Sequence, residues 1–312
     1  MHIPDGFIDG KTAGVTTALA VVGVGIALRQ LKRTLPPRKA PLLGLSAAFL
    51  FAAQMVNFPV AAGTSGHLIG GILVAALLGP AAGAVVVTAV LIVQCFLFAD
   101  GGVLALGANV FNMAILGAGG GFVVLRGLQR LLPGQAGAIT AVAFAAWCSV
   151  VFAAAGCAGQ LAWSDTVHWR AAFPAMTVTH MIIGIGEGLI SALVVWFVRR
   201  TRPEMILQDS QPAPLREVLI FGSLATIGLV VFVAPFASPL PDGLERVALQ
   251  LGFEHRATAF AAPIPDYEMP GMSWAVGATA LAGVIGAFLV FAMAWALGRV
   301  LVPSAAASER TK

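Results

Sequence analysis

Long apolar runs, separated by glycine, proline or charged residues, dominate the chain. Nine of them are predicted as membrane crossings, at 12–31, 41–60, 67–80, 81–99, 105–125, 136–160, 173–198, 215–236 and 272–299. A helix needs about 20 apolar residues to cross a bilayer. The run 67–80 is short and ends at Gly79-Pro80, which favours a tilted or partly re-entrant helix inside the protein. The pattern predicts an all-α, polytopic helix bundle.

The composition supports the same fold class. Of the 312 residues, 59% are apolar and 10% are charged, whereas roughly 25% of the residues of a soluble domain are charged. So few charges cannot cover a water-exposed surface, which excludes a soluble globular enzyme and a disordered chain. Cys95, Cys148 and Cys157 lie singly in apolar runs, and we expect them to be packing residues rather than disulfides or ligands.

The basic residues predict the orientation of the chain. If the amino terminus lies outside, the inner loops and the carboxyl end hold 14 of the 18 lysines and arginines, and the outer loops hold Lys11, Arg170, Arg246 and Arg256. Positive residues concentrate on the cytoplasmic side of membrane proteins. We therefore predict an outer amino terminus and a cytoplasmic carboxyl terminus. The net charge of +4 reports this orientation and gives no reason to expect a nucleic acid partner.

Two units are predicted along the chain. The polar, proline-bearing segment 201–214 (TRPEMILQDSQPAP) is predicted as a cytoplasmic linker between a first unit, 1–200, with seven crossings, and a second unit, 215–312, with two. The last two crossings are joined by an outer loop at 236–271. Within that loop, the apolar residues of 243–253 recur at helical spacing, which predicts a short amphipathic helix at the membrane surface.

Met1 and His2 carry the most distinctive chemistry of the chain. Initiator methionine is removed only before a small residue, so we expect Met1 to stay and to present a free amine beside His2. The Met1 amine, the His2 amide nitrogen and the His2 imidazole would close one five-membered and one six-membered chelate ring around a divalent ion. Both rings are nearly coplanar, and planar nitrogen sets favour Ni²⁺ or Cu²⁺ over zinc, calcium or magnesium.

His67 is the candidate for a fourth nitrogen ligand. It lies in NFPVAAGTSGHLIGG, where an outer loop enters the third predicted crossing, on the same membrane face as the amino terminus. The small residues around it, including Ser65 and Gly66, allow close backbone approach. The alternative interpretation is a disordered terminal histidine and a loop histidine that caps a helix. Residue chemistry alone leaves both interpretations open.

Other polar residues lie within the apolar runs or at their ends. The candidates for a supporting or structural role are Asn57, Ser65, Asn109, His180 and Glu187. An ionisable group in lipid is costly unless it faces the interior of the bundle. His180 and Glu187 are seven residues apart and share a helix face. They are either a structural hydrogen-bonded pair between helices or a proton relay.

Four segments, in order along the first unit, resemble the CbiM/NikM family, the substrate-capture subunits of energy-coupling-factor transporters for cobalt and nickel. They are MHIPDG at the amino terminus, NFPV…GTSGHLIG at 57–70, FADGGVLALGANVFNM at 98–113 and HMIIGIGEGLI at 180–190. In the second unit, PLPDGLERVALQLGF at 239–253 and PIPDYEMPG at 263–271 resemble a PDGLE domain, the small N subunit of such systems. The chain therefore resembles a fused M–N protein.

The resemblance implies the ligands and the partners. It implies that the amine of Met1, the amide and imidazole of His2 and the imidazole of His67 bind the metal. It also implies a transmembrane T subunit and a cytoplasmic ATPase A subunit as partners. Ni²⁺ or Co²⁺ is then the transported substrate, with no organic cofactor, and the PDGLE segment favours nickel. Some relatives differ at Pro4 and Asp5, a variation for which we predict no consequence for the ligands.

We therefore predict a multi-pass protein of the bacterial plasma membrane that captures nickel or cobalt from outside and passes it inward when partner ATPases act. For release, we hypothesise that the T subunit strains the loop of His67, so that one nitrogen ligand is lost. One alternative is a proton-coupled secondary carrier that uses His180 and Glu187. A membrane enzyme is disfavoured because the sequence has no nucleophile–base pair and no HExxH motif.

Overall fold

The computed structural model of the protein describes residues 1–36, 39–201, 215–258 and 260–301. The predicted linker 201–214 lies outside these residues except for Thr201, which ends a helix. The part of the chain that the structure describes is helical apart from one two-stranded antiparallel sheet. The predicted all-α membrane bundle is confirmed.

The described residues form ten helices, α1 to α10 in chain order. They are α1 (Gly10–Thr34), α2 (Ala40–Gln54), α3 (Gly71–Leu78), α4 (Pro80–Phe98), α5 (Leu106–Leu131), α6 (Gly134–Trp163), α7 (Trp169–Thr201), α8 (Leu215–Phe232), α9 (Gly243–Leu251) and α10 (Ala275–Leu301). Short 3-10 turns connect several of them. Seven of the ten, all except α2, α3 and α9, are long and apolar enough to cross a membrane.

The two remaining predicted crossings, 41–60 and 67–80, correspond to the shorter helices α2 and α3. Helix α3 has 8 residues and is about 12 Å long at 1.5 Å per residue, against a hydrocarbon core of about 30 Å. It does not cross the bilayer alone. Its first five residues, Gly71 to Ala75, are buried, as expected of a partly re-entrant helix inside protein.

The segment 55–70 is not helical over most of its length, although its apolar pattern extends the predicted crossing to residue 60. Helix α2 ends at Gln54, and residues 58–59 (β1) pair with residues 65–66 (β2), with Phe58 opposite Gly66 and Pro59 opposite Ser65. Pro59 cannot continue a helix and disfavours helical backbone at Phe58. The resulting hairpin returns the chain to the interior and brings His67 into the bundle.

Helix α5 contains an irregular central stretch. Residues Phe111–Gly120 form π-helical turns, which widen the helix locally and occur often near functional sites. Within this stretch, Asn112 exchanges two hydrogen bonds with Gln160 of α6, at 2.8 and 2.7 Å. The pair satisfies two buried amides and ties α5 to α6.

The second unit packs directly on the first. Helix α10 runs close to α2, and a Cβ added at Gly44 would come within 2.8 Å of the Phe291 carbonyl oxygen, so a glycine is needed for this approach. Helix α9 packs against α7. The predicted amphipathic helix 243–253 exists, but Leu244, Val247 and Ala248 are buried against protein and not against lipid. The first unit covers the apolar face of α9.

Candidate metal centre

In the amino-terminal segment before α1, the side chains of Met1, Ile3 and Phe7 are buried within the bundle. Asn109 of α5 binds the backbone of Ile3 on both sides, accepting from Ile3 N at 2.7 Å and donating to Ile3 O at 3.0 Å. The amide of Gly102 also donates to Ile3 O, at 2.9 Å. One predicted polar residue, Asn109, therefore fixes the backbone beside His2.

Asp5 holds the same segment from the other side. Its carboxylate accepts hydrogen bonds at 2.9 to 3.1 Å from three successive backbone N–H groups, those of Val103, Leu104 and Ala105. Its carbonyl oxygen accepts from Thr258 of the second unit, at 2.9 Å. The prediction that variation at Asp5 has no consequence for the ligands is incomplete, because Asp5 binds the segment that carries Met1 and His2.

The loop that carries His67 is held from α7 and α2. The carboxylate of Glu187 accepts the N–H groups of Ile69 at 2.6 Å and Gly70 at 2.8 Å. The side-chain amide of Gln54 donates to Ile69 O at 3.0 Å. A buried carboxylate that accepts two backbone donors makes strong, charge-assisted bonds. The backbone two residues after His67 is thereby fixed in position.

These supports bring the three predicted ligand residues together. The Met1 amine lies 3.0 Å from Nε2 of His67, although 66 residues separate them in sequence. The rings of His2 and His67 stack with centroids 5.2 Å apart and an interplanar angle of 13°. Met1 and His67 are 4% and 8% exposed. The amine and two imidazoles thus form one buried cluster within the bundle.

The hydrogen bonds of the two imidazoles define which nitrogen carries a proton. Nδ1 of His67 donates to Leu68 O at 3.2 Å, so Nε2 presents its lone pair to the Met1 amine. Burial lowers the pKa of His67 to about 3, and the positive amine acts in the same direction. His67 is therefore neutral near pH 7 and able to bind a cation. Nδ1 of His2 lies 2.9 Å from Oδ1 of Asp100, so binding a metal through Nδ1 requires that contact to be exchanged.

Asp242 brings the second unit into the cluster. One carboxylate oxygen contacts the Met1 amine, and the other accepts from Leu244 N at 2.8 Å and Glu245 N at 2.9 Å. The Glu245 side chain accepts from Asp242 N at 2.8 Å, which completes a capping box at the start of α9. Burial raises the pKa of Asp242, but the amine, His67 and these hydrogen bonds hold it below its usual range.

Three more hydrogen bonds join the second unit to the cluster. Ser65 donates from its backbone to Pro241 O at 2.8 Å and from its hydroxyl to Leu240 O at 2.7 Å. The hydroxyl of Tyr267 donates to Oδ2 of Asp100 at 2.5 Å. Burial raises the pKa of Asp100, but the contacts with His2 and Tyr267 outweigh it. Asp100 therefore stays ionised beside His2.

The remaining predicted polar residues have separate surroundings. The backbone carbonyl oxygen of Asn57 accepts from Ser238 N at 2.8 Å, a contact between the units. Its side-chain Oδ1 is buried and has no hydrogen-bond partner among the described residues. Nδ1 of His180 lies 2.7 Å from Met176 O, whereas Glu187 binds the His67 loop. Among the described residues, His180 and Glu187 thus bind different partners, and the one bond of His180 is to the backbone of its own helix. Glu187 has a structural role, because it joins α7 to the loop before α3.

Four functional candidates were not identified from the sequence: Asp5, Asp100, Asp242 and Tyr267. Each lies in a segment that carried the family resemblance, namely MHIPDG, FADGG, PLPDGLE and PIPDYEMPG. An acidic residue in an outer loop is most often a solvated surface residue, and nothing local marks these as buried. The feature that could have identified these residues is that acidic residues recur in these segments together with glycine and proline.

Comparisons with known proteins agree with this architecture. The family described as "Cobalt uptake substrate-specific transmembrane region" (CbiM) matches residues 2–205, and the PDGLE domain matches residues 216–303. A protein of Archaeoglobus fulgidus named "Putative fused nickel transport protein NikMN" is 36% identical over 301 residues, 96% of this chain and 98% of that one.

Two further comparisons cover different shares of the chain. The fused nickel transport protein NikMN of Rhodobacter capsulatus is 30% identical over 338 residues, 94% of this chain and 95% of that one. The crystal structure of a truncated transition metal transporter superposes with a TM-score of 0.59 at 30% identity, covering 64% of this chain and 99% of the other.

Proposed function

The chain belongs to the CbiM family of cobalt uptake transmembrane regions, with a PDGLE domain attached, and on that premise we propose that it is the metal-capture subunit of an ATP-driven nickel importer. In this proposal the ion is nickel or cobalt and the site is planar, with the amine of Met1, the amide and imidazole of His2 and Nε2 of His67 as ligands. The division into units 1–200 and 215–312, joined by the linker 201–214, belongs to the same proposal.

The observation that carries the proposal is the approach of the Met1 amine to His67. A free amine and a neutral imidazole nitrogen 3.0 Å apart in a buried pocket, beside the imidazole of the second residue, are three of the four nitrogens that the chelate requires. Nitrogen donors in a plane suit Ni²⁺, and the Irving–Williams order places Ni²⁺ above Co²⁺ at the same ligands. The carboxylates of Asp100 and Asp242 also lie near this pocket, but Asp100 contacts His2 and Asp242 contacts Met1.

Asp100 and Asp242 serve in this proposal as positioning residues. Asp242 holds the amine, and Asp100 holds the His2 imidazole at 2.9 Å. When the ion binds, the Met1 ammonium and the His2 amide each release a proton to solvent, and the His2 ring proton moves from Nδ1 to Nε2. The amine and Nδ1 then bind the metal in place of these carboxylates, and the two negative charges remain close to the bound cation. Supporting groups of this kind orient metal ligands and tune their affinity. The second unit contributes Asp242 and Tyr267, so it completes the surroundings of the site.

Energy for import is proposed to come from other subunits. The family resemblance implies a transmembrane T subunit and a cytoplasmic ATPase A subunit, with this chain contributing capture and no catalysis. Because Glu187 on α7 fixes the loop of His67, a displacement of α7 by a partner would act directly on one ligand. Loss of His67 would leave three nitrogens and weaken the hold on the ion.

The experiment for capture compares two histidine variants of the full chain in detergent, each titrated with Ni²⁺ against a competing chelator. His67→Ala is expected to lower the affinity by about 100-fold, more than the loss of a typical supporting residue. His168→Ala, an exposed histidine, is the matched control and is expected to change nothing. Equal affinity of the His67→Ala and wild-type proteins would contradict the assignment of the ligand.

The experiment for energy coupling uses vesicles that contain this chain with its T and A subunits. The proposal predicts ⁶³Ni²⁺ uptake that requires ATP and persists after the proton gradient is dissipated. Uptake by this chain alone, lost on dissipating the gradient, would favour the secondary carrier instead. Replacing His180 or Glu187 would then have to abolish that gradient-driven uptake.

A further inference from the structure

His180 has a nitrogen that no described residue binds. Its Nδ1 lies 2.7 Å from the Met176 carbonyl oxygen, and a carbonyl only accepts, so Nδ1 carries the proton and Nε2 carries the lone pair. His180 is 2% exposed, and Nε2 has no hydrogen-bond partner among the described residues. A buried acceptor without a partner is unfavourable, so this nitrogen requires an explanation.

His180 lines a cavity together with residues of the candidate metal centre. A cavity of about 10 Å³ lies between the two units, and its lining includes Met1, His67, His180, Asp242 and Gly243. This volume is about enough for one water molecule or one bare ion. A Cβ added at Gly243 would stand 2.7 Å from Nε2 of His180, so only a glycine at this position leaves that edge of the ring free.

The chemistry of His180 matches that of a metal ligand. Metal-binding histidines typically donate their other ring N–H to a backbone carbonyl or a carboxylate, which fixes the tautomer and the ring orientation. His180 makes this bond and presents its second nitrogen to a cavity that the amine of Met1 and the imidazole of His67 also line. A cation inside a protein is costly to leave short of ligands, so an ion that loses His67 needs a replacement close by.

We propose that Nε2 of His180 binds the transported ion after capture, taking the place of His67 as the ion moves inward. This inference rests on the proposed function and adds a second position for the ion. Helix α7 carries both His180 and Glu187, about 10 Å apart along its axis. One helix therefore fixes the loop of the departing ligand and presents the ligand that replaces it.

The test is a double-mutant cycle on the full chain in detergent, with Ni²⁺ alone as the probe and a competing chelator as the reference. His180→Ala alone is expected to change the affinity less than about threefold, because His67 still closes the planar site. Adding His180→Ala to His67→Ala is expected to lower the remaining affinity at least about tenfold, a coupling typical of residues that share one partner. Equal affinities of His67→Ala and the double variant would overturn the proposal and assign the cavity to water.

A spectroscopic count of imidazoles separates binding from folding. With Cu²⁺ as the probe, pulsed electron paramagnetic resonance should detect two imidazoles in the His67→Ala protein, from His2 and His180, and one in the double variant. One imidazole in both would contradict the proposal. If His180→Ala lowers the melting temperature strongly, His180→Phe replaces it, since phenylalanine fills the ring volume without a nitrogen.

The same data distinguish failure of this inference from failure of the capture site. If His67→Ala binds Ni²⁺ as tightly as the wild type, the proposed function fails at its fourth ligand. If His67→Ala weakens binding but the double variant is no weaker, only the role of His180 is overturned.

Discussion

Replacing Glu187 by glutamine tests whether the loop of His67 is held in place from α7. The carboxylate accepts two backbone N–H groups, those of Ile69 at 2.6 Å and Gly70 at 2.8 Å. Glutamine has the same shape but one acceptor oxygen, so its amide nitrogen would face a second donor. One hydrogen bond is kept in a weaker, neutral form, and one N–H group loses its partner.

The expected magnitudes follow from these two bonds. A hydrogen bond to a charged group contributes roughly 1.5–3 kcal/mol, and a neutral one about 1 kcal/mol. Removal of the buried charge returns part of its desolvation cost, so we expect Glu187→Gln to lower the free energy of unfolding by about 2 kcal/mol. The loop shift should weaken Ni²⁺ binding by about 10–100-fold, the range for groups that orient a metal ligand.

The assay is Ni²⁺ titration of the purified full chain against a competing chelator, together with thermal unfolding. Glu254→Gln removes an exposed carboxylate and is the matched control, expected to change neither quantity. Unchanged affinity and unchanged melting temperature in Glu187→Gln would refute the reasoning. Normal binding with complete loss of uptake would also refute it, and would favour a proton-transfer role for Glu187.

Three other substitutions have separable outcomes. Asp5→Ala removes the acceptor of three backbone N–H groups and should weaken Ni²⁺ binding by about tenfold or more, whereas a normal chelator titration would show that the amino-terminal segment needs no such anchor. Tyr267→Phe removes the donor to Asp100. It should lower the free energy of unfolding by about 1.5–3 kcal/mol, and with it the melting temperature, and it should also weaken Ni²⁺ binding. Calorimetry that detects no change in either stability or affinity would contradict the contact. Asn112→Ala breaks the amide pair with Gln160 and should cost about 2 kcal/mol of stability while leaving the Ni²⁺ affinity unchanged. A loss of affinity would show that this amide pair also supports the site.

Much of the fold follows from apolar pattern and charge, and the exceptions have a common cause. The run 41–60 was predicted as one crossing, but helix α2 ends at Gln54 and the chain continues as a buried hairpin. A loop buried in protein is as apolar as a helix buried in lipid, so periodicity does not separate them. Proline at position 59 was the available signal.

The candidate ligands could be predicted because their chemistry is local. Met1 and His2 are adjacent, and the chelate rings between them need no knowledge of the fold. Asp242 is different, since it lies 241 residues from the amine that it contacts. Its role depends on the second unit folding over the first, which neither composition nor spacing reveals. Asp242 also caps α9, with Glu245 completing the capping box.

Packing between the two units also determines what covers the amphipathic helix α9, and the local sequence does not show it. Leu244, Val247 and Ala248 were correctly predicted to share one face, and the structure buries that face against the first unit. Helical spacing of apolar residues indicates that one face of the helix must be covered, and it does not indicate whether lipid or protein covers it. The helix itself was correctly identified, and its location at the membrane surface stays a prediction.

The central claim is that the free amine of Met1 is a metal ligand, and blocking that amine tests it most directly. A Gly-Ser extension before Met1 converts the amine to an amide. Two residues are added because a single added residue would make the histidine the third residue. A terminal amine, two amides and the imidazole of a third residue form another planar set of nitrogens. The same dipeptide after Lys312 is the control, and intact mass confirms each terminus. We predict that the amino-terminal extension lowers the Ni²⁺ affinity by about 100-fold or more and that the carboxyl-terminal one does not. Equal affinity of the two proteins would contradict the claim.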